Sequence, residues 1–354
     1  MLAGRMAFSV ALMVAALPTA CTQATSDEHD EAIQSTAEAL VSDNSVTLQG
    51  VELQGVELQG VELQGVELQG VELQGVELQG VELQGTMLTG TLMNGDTVSG
   101  TGLVGSTMVG ALSNGNDLQI RIDAIDPSTD AEVSLYTVSY LAGATWTSLC
   151  GTSYGVPVRA VALQGRWDTS RGTPTGGDFI ADPTMITFGC STAVAAKCVM
   201  LGYKPWKVVN ECKKGSTCTS RSLREVHQAC TRMMRADYCG DGMPHTKNGT
   251  SINLWDSFSI QQRSTVNPDW KRESEWTTDG AACLETFRWN IDDVTKDYVE
   301  AHCPEKATPG DGDCFDSSST FFTKHGYSIP MSTRSILRNE NLSDGHYGDA
   351  LAGG

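Results

Sequence analysis

Glycine returns at every fifth position from Gly50 to Gly115, and an apolar side chain stands mid-pentad at Leu48, Leu53 through Leu83, Leu88, Met93, Val98, Leu103 and Met108. Seven identical copies of Val-Glu-Leu-Gln-Gly cover residues 51–85, and degenerate copies continue to Gly115. A period of five matches neither the ~3.6 of a helix nor the ~2 of a strand, so the pattern predicts a corner at each glycine and an all-β solenoid over 46–115. From residue 116 alternation takes over. Leu118, Ile120 and Ile122, then Val133, Leu135 and the run 136–140, flank Asp126-Pro-Ser-Thr-Asp130 and predict a β-hairpin. Segments 156–163 and 185–188 predict further strands on either side of the Gly/Pro/Thr-rich stretch 171–177.

Helical spacing follows. A short helix is expected over 191–199 with Ser191 as its cap, and a longer one over 222–236. The longer one places Leu223, Val226, Cys230, Met233 and Met234 on one face, with Arg221, Arg224, Arg232 and Arg235 mostly away from it. A turn over 237–242 and a strand over 252–255 complete an α+β pattern, so residues 116–330 read as one cysteine-rich domain and 331–354 as a loosely held tail.

Upstream of the pentads, Arg5, the apolar run 6–17 and then Pro18, Thr19 and Ala20 have the layout of a secretory signal over 1–20. The run is too short to cross a ~30 Å hydrocarbon core, and no other stretch approaches the ~20 residues needed, so no transmembrane helix is expected in the processed chain. Ala20 before Cys21 resembles the bacterial lipobox, which implies a lipid anchor on Cys21; cleavage near Ala20 without lipid is the alternative. Residues 21–45 read as an acidic, disordered tether.

Charge and cysteine content narrow the classes. The net charge of −19 disfavours nucleic acid as a partner. Fourteen acids and one base fall within 1–115, against 29 acids and 23 bases in 116–354. In a solenoid Glu52 and Glu72 would stack outward at about 4.8 Å, giving a solvated acidic face or, as the rival, a ladder for Ca2+. Besides Cys21 there are ten cysteines: Cys150, Cys190, Cys198, Cys212, Cys218, Cys230, Cys239, Cys283, Cys303 and Cys314. An even set in an exported chain predicts a disulfide framework, and the lack of any CxxC pair disfavours zinc. The short polar loops inside Cys212–Cys218 and Cys303–Cys314 mark those as two local pairs.

The best constellation for chemistry is His227, Asp237, Asp241 and His245, around the end of the longer helix. A histidine beside a carboxylate can act as general acid or base, but His227 and Asp237 would stand ~15 Å apart along a helix. No Gly-x-Ser-x-Gly elbow, phosphate loop or His-Glu-x-x-His occurs, so an exported hydrolase with a site at 227–245 is the alternative reading. Asp311, Asp313 and Asp316 near Cys314, and Asp241, Asn248 and Asp256, are candidate Ca2+ ligands without EF-hand spacing; no other cofactor is expected. Tyr203 and Trp206 offer rings to a glycan or to a small core.

Two resemblances carry further. The pentads are similar to the pentapeptide-repeat family, which implies a right-handed quadrilateral β-helix, although Val stands where that family prefers Ala. Phe188-Gly-Cys190, Lys197-Cys198, Gly202-Tyr-Lys-Pro-Trp206, His227-Gln-Ala-Cys230-Thr-Arg232, Arg235-Ala-Asp-Tyr-Cys239-Gly-Asp-Gly242, Leu254-Trp-Asp256, Trp276-Thr and Gly280-Ala-Ala-Cys283-Leu284 together resemble the ADYC-domain family of exported, mainly myxobacterial proteins. That resemblance implies an extracytoplasmic setting and a lipid anchor, and it brings no catalytic residues with it. The expectation is an envelope lipoprotein, held to the membrane through its anchor, that displays a disulfide-stabilised binding or structural domain to a protein or glycan ligand.

Overall fold

The computed structural model describes residues 45–48, 57–58, 61–73, 76–92, 96–112, 117–182, 185–211, 219–246, 250–256, 258–264, 269–289, 293–306 and 337–342. The expected signal with Cys21, nearly all of the tether, and Cys212, Cys218, Asn248, Asp311, Asp313, Cys314 and Asp316 lie outside them. The described chain is mostly β with three α-helices.

Its larger sheet has eleven strands, all paired antiparallel. Nine form its path: β1 (Val61–Leu73), β2 (Val76–Gln84), β3 (Met87–Leu92), β4 (Thr97–Ser99), β5 (Ser106–Leu112), β6 (Asp117–Pro127), β7 (Ser134–Ala142), β8 (Ala160–Gln164) and β9 (Met185–Cys190). Their order is β9-β8-β7-β6-β5-β1-β2-β3-β4, and a second contact of β9 with β1, through Met185↔Glu67 and Ile186↔Val66, closes β1 and β5 to β9 into a ring. Alternation does the packing. Ile120 and Ile122, Tyr136 and Val138, Ala160 and Ala162, Ile186 and Phe188 point to one core, joined by Leu88, Leu103 and Leu149. The opposite face of β7 and β8 sends Leu135, Val161 and Leu163 into a second core.

The pentads do not turn at each glycine. Strands β1, β2, β3 and β5 continue through Gly65, Gly70, Gly80, Gly90 and Gly110, with shifts of register between Leu63 and Gly65, Glu67 and Glu72, and Leu78 and Gly80, and no solenoid is shown among the described residues. Backbone pairing to an antiparallel neighbour asks only for extended glycine, whereas a corner needs left-handed backbone, found in this region at Gly85, Gly100 and Gly105. At Gly85 (φ +66°) the turn packs against the rest of the chain, because a Cβ there would lie 3.2 Å from the Trp206 ring. Thr86 Oγ1 accepts from Ser134 N–H at 2.7 Å, and Tyr136 Oη donates to Thr86 O and accepts from Leu88 N–H.

The second core lies between the helices and a smaller sheet. Helix α1 (Val194–Met200) begins after Ala193, without the Ser191 cap that was expected; Ser191 N–H bonds Arg159 O instead. Helix α2 (Leu223–Arg235) is capped by Ser222 Oγ, which accepts from Arg224 N–H. The Cys198–Cys230 disulfide joins the two helices. Ser45–Leu48, β10 (Thr250–Asp256), β11 (Lys271–Thr277), β12 (Gly280–Leu284), α3 (Val294–His302) and β13 (Leu337–Asn341) follow, and the sheet order is Ser45–Leu48, β10, β13, β11, β12. Strand β13 falls inside the expected loose tail yet is buried mid-sheet, because its polar side chains complete a buried network. Glu273, fully buried, pairs with fully buried Arg288 at 2.8 Å and accepts from Asn339, Asn341 and Tyr238. Arg288 in turn donates to Met233 O and Met234 O, the open carbonyls at the end of α2.

The disulfides are largely non-local. Cys150 pairs with Cys190, Cys283 is also bonded, and Cys303 pairs with Cys239 rather than with Cys314 as its loop suggested. The fold brings the end of α3 to the end of α2, across a sequence separation of 64.

Truncating Glu273→Ala strands Arg288 without its buried counter-charge and is expected to cost about 3–5 kcal/mol in denaturant unfolding. Glu300→Ala, in the exposed pair with Lys296, is expected to change stability by less than about 0.5 kcal/mol.

Candidate functional site

The region 227–245 is built on the C-terminus of α2. Ala236 N–H bonds Met233 O and Asp237 N–H bonds Arg232 O, a Schellman closure with Ala236 at the left-handed position (φ +52°) that glycine usually takes. That turn aims Asp237 inward, fully buried. Its Oδ2 accepts from Arg232 at 2.5 Å and from Gly242 N–H at 3.0 Å, and its Oδ1 from Asp241 N–H at 3.1 Å. Arg232 is buried as well and donates to Gly176 O, Thr278 O and Asp178. The sequence pattern had placed Arg232 and Arg235 on the solvent side; both are buried, because loop carbonyls and carboxylates meet their donors. Gly240 has no room for a side chain, since a Cβ would sit 2.2 Å from Asp279 O.

Tyr238 and Cys239 finish the turn. The Tyr238 ring stacks on Trp276 at 5.4 Å and on His245 at 5.8 Å, and burial followed by the Glu273 charge pushes its hydroxyl well above the usual range. Cys239 bonds Cys303 at the end of α3, and Lys306 donates to Cys239 O and Asp279 O.

The structure brings Asp237, Asp241 and His245 together, with Tyr298 of α3 over them. Asp241 accepts from Met243 N–H at 3.0 Å and from Tyr298 Oη at 2.7 Å. Burial, then the bond to Asp241, raises the Tyr298 hydroxyl above its usual range. The His245 ring lies 4.8 Å from Tyr298, and among the described residues its buried Nε2 has no hydrogen-bond partner. Burial pushes His245 down to about 4 although Asp237 and Asp241 pull the other way. His227 packs elsewhere, against α1 and Trp167, with Nε2 bonded to Ala195 O at 2.9 Å, and burial holds it at about 4. Arg232, Glu273, Arg288 and Tyr298 carry this region and were not among the sequence candidates; a basic residue within the helical apolar stretch was the only signal.

Of the candidate cation ligands, Asp256 is spent on the backbone: it accepts from the N–H groups of Phe258, Ile260 and Gln261 and from Tyr203 Oη. Among the described residues no cluster of three or more His, Cys, Asp or Glu side chains is placed to hold a metal. Tyr203 is fully buried and Trp206 packs on Gly85, so both fill cores.

The ADYC domain family model matches residues 100–290, more than half of the chain, and pentapeptide repeats match residues 57–95 in eight copies. No curated protein and no solved structure matches.

Asp237→Asn keeps the shape but removes the charge that offsets Arg232, and is expected to destabilise by about 3 kcal/mol in denaturant titration. Asp241→Asn, which weakens mainly surface-side bonds, should cost about 1 kcal/mol. His227 and His245 sit at about 4 when folded, against ~6.5 in the unfolded chain. The folded state therefore binds fewer protons in that window, and stability rises with pH from 4 to 6.5 and then levels. Denaturant curves at pH 7.5, 6 and 5 should show the loss on acidification, up to about 3 kcal/mol per histidine by pH 4; a flat profile is the contrary result.

Proposed function

Since the chain belongs to the ADYC-domain family, we propose that it is an exported lipoprotein, anchored at Cys21, that displays a disulfide-stabilised domain as a rigid binding module on the cell envelope. The observation that carries the binding reading is the use made of the tetrapeptide itself. Ala236 closes the helix, Asp237 neutralises Arg232, Tyr238 fills the core and Cys239 ties in α3. Asp237 is fully buried and accepts from Arg232, Gly242 N–H and Asp241 N–H, which commits this carboxylate to holding the turn together. The export reading is supported by the signal-like pattern over 1–20, by Ala20 before Cys21, and by disulfides that an oxidising compartment permits. The acidic stretch ahead of the domain would hold it off the membrane, and a protein or glycan is the class of ligand proposed.

The test is the intact mass of protein taken from its native envelope, before and after thiol alkylation without reduction. A diacylglyceryl-type addition at Cys21 with no alkylated cysteine is the expected result. Cleavage without lipid would refute the anchor, and alkylation within the ten remaining cysteines would refute the closed framework.

A further inference from the structure

Helix α3 buries little of itself. Only Thr295 and Val299 are buried within it, while Val294 is 65% exposed and Glu300, Ala301 and His302 face solvent. Its remaining hold on the domain is local. Tyr298 donates to Asp241 and covers His245, His302 stacks on Tyr298 at 3.9 Å, and the Cys239–Cys303 disulfide pins the far end. A segment with so few buried contacts opens more easily than the core it lies on.

What it covers is chemically unfinished. His245 is 8% exposed, packed between Tyr238 and Tyr298, and among the described residues its buried Nε2 has no acceptor or donor. The groups facing it are Arg235 from α2, Asp237, Tyr238 and Asp241 from the turn, and Tyr298 and His302 from α3. Arg235 and His302 oppose a positive imidazole, and Asp237 and Asp241 favour one. Of the two carboxylates that favour a proton on His245, Asp237 is already paired with the buried Arg232, and Asp241 accepts from Tyr298.

We infer that α3 is an acid-released strap: when His245 takes a proton, the imidazolium recruits Asp241 away from Tyr298, and the helix swings outward on the Cys239–Cys303 disulfide to uncover His245 and Asp241. Opening hydrates His245 and moves His302 away while the two carboxylates stay, so burial and His302 no longer oppose the proton and Arg235 alone still does. Because the closed form resists protonation down to about 4, linkage lets the opening equilibrium rise up to tenfold per pH unit below ~6.5, or about 300-fold in all. The strap exposes a charged His–Asp surface in acid and hides it at neutral pH.

Hydrogen exchange on the full processed chain, corrected for intrinsic rates, tests this. Between pH 7.5 and 5 the protection of amides 298–303 is expected to fall about 10- to 30-fold, while amides 228–234 of α2 hold constant. His245→Phe keeps the ring packing and removes the proton site, so its α3 protection should not change with pH. Tyr298→Phe should open α3 severalfold at every pH. The inference is overturned if α3 protection in the unaltered chain is flat across this range, if α2 falls in parallel with it, or if His245→Phe retains the pH dependence. The first two outcomes are read without any variant, so a failure of His245→Phe to fold leaves the test intact.

Discussion

Taking the Arg232 guanidinium and the Asp237 carboxylate out of water costs several kcal/mol per ion, and direct attraction offsets this only when the remaining donors and acceptors are also met. Three separate segments meet them. The 168–178 loop brings Gly176 O and Asp178, the turn before β12 brings Thr278 O, and the chain after α2 folds back so that Asp241 and Gly242 N–H groups reach Asp237. None of these segments can withdraw without exposing a partner to an unpaired buried charge. The close backbone approach also explains Gly176, where a Cβ would lie 2.1 Å from Asp241 O.

A second buried ion pair lies at the Tyr238 hydroxyl. Glu273 and Arg288 join β11 and β13 to the open carbonyls of α2, and Tyr238 touches both, through its hydroxyl to Glu273 and its acceptance from Arg288 N–H. The ring stacks on Trp276, whose indole N–H reaches Asn339. The tetrapeptide thus stands where the two polar networks and the core meet. A motif with that role identifies a fold and is silent about ligand, which fits a family resemblance that brings no catalytic residues with it.

Much of this architecture is written in period and much is not. Alternation located β6 and β7, and helical spacing located α2 to within a residue or two, because apolar side chains recur there at the period of the element. The same reasoning misplaced Arg232 and Arg235, since an amphipathic pattern assigns charge to solvent and cannot see loop carbonyls waiting for a guanidinium. It lost β13 because Asn339, Glu340 and Asn341 look like tail residues until Glu273 and Arg263 are placed beside them. Of the four candidate site residues, three do meet, but Tyr298, more than fifty residues further on, was invisible: a disulfide and a helix bring it there, and neither has a local signature.

The pentads show the limit of reading a period alone. Identical copies specify register weakly, since a slip of five residues restores the same side chains on the same neighbours. Nothing inside the repeat therefore selects one arrangement. Selection comes from its C-terminal edge, where Gly85 fits under Trp206, Thr86 and Leu88 are stitched to Tyr136, and β9 closes onto β1. The described contacts that fix the edge of the repeat are made with the domain that follows it, and the sequence periodicity, however regular, is silent about them.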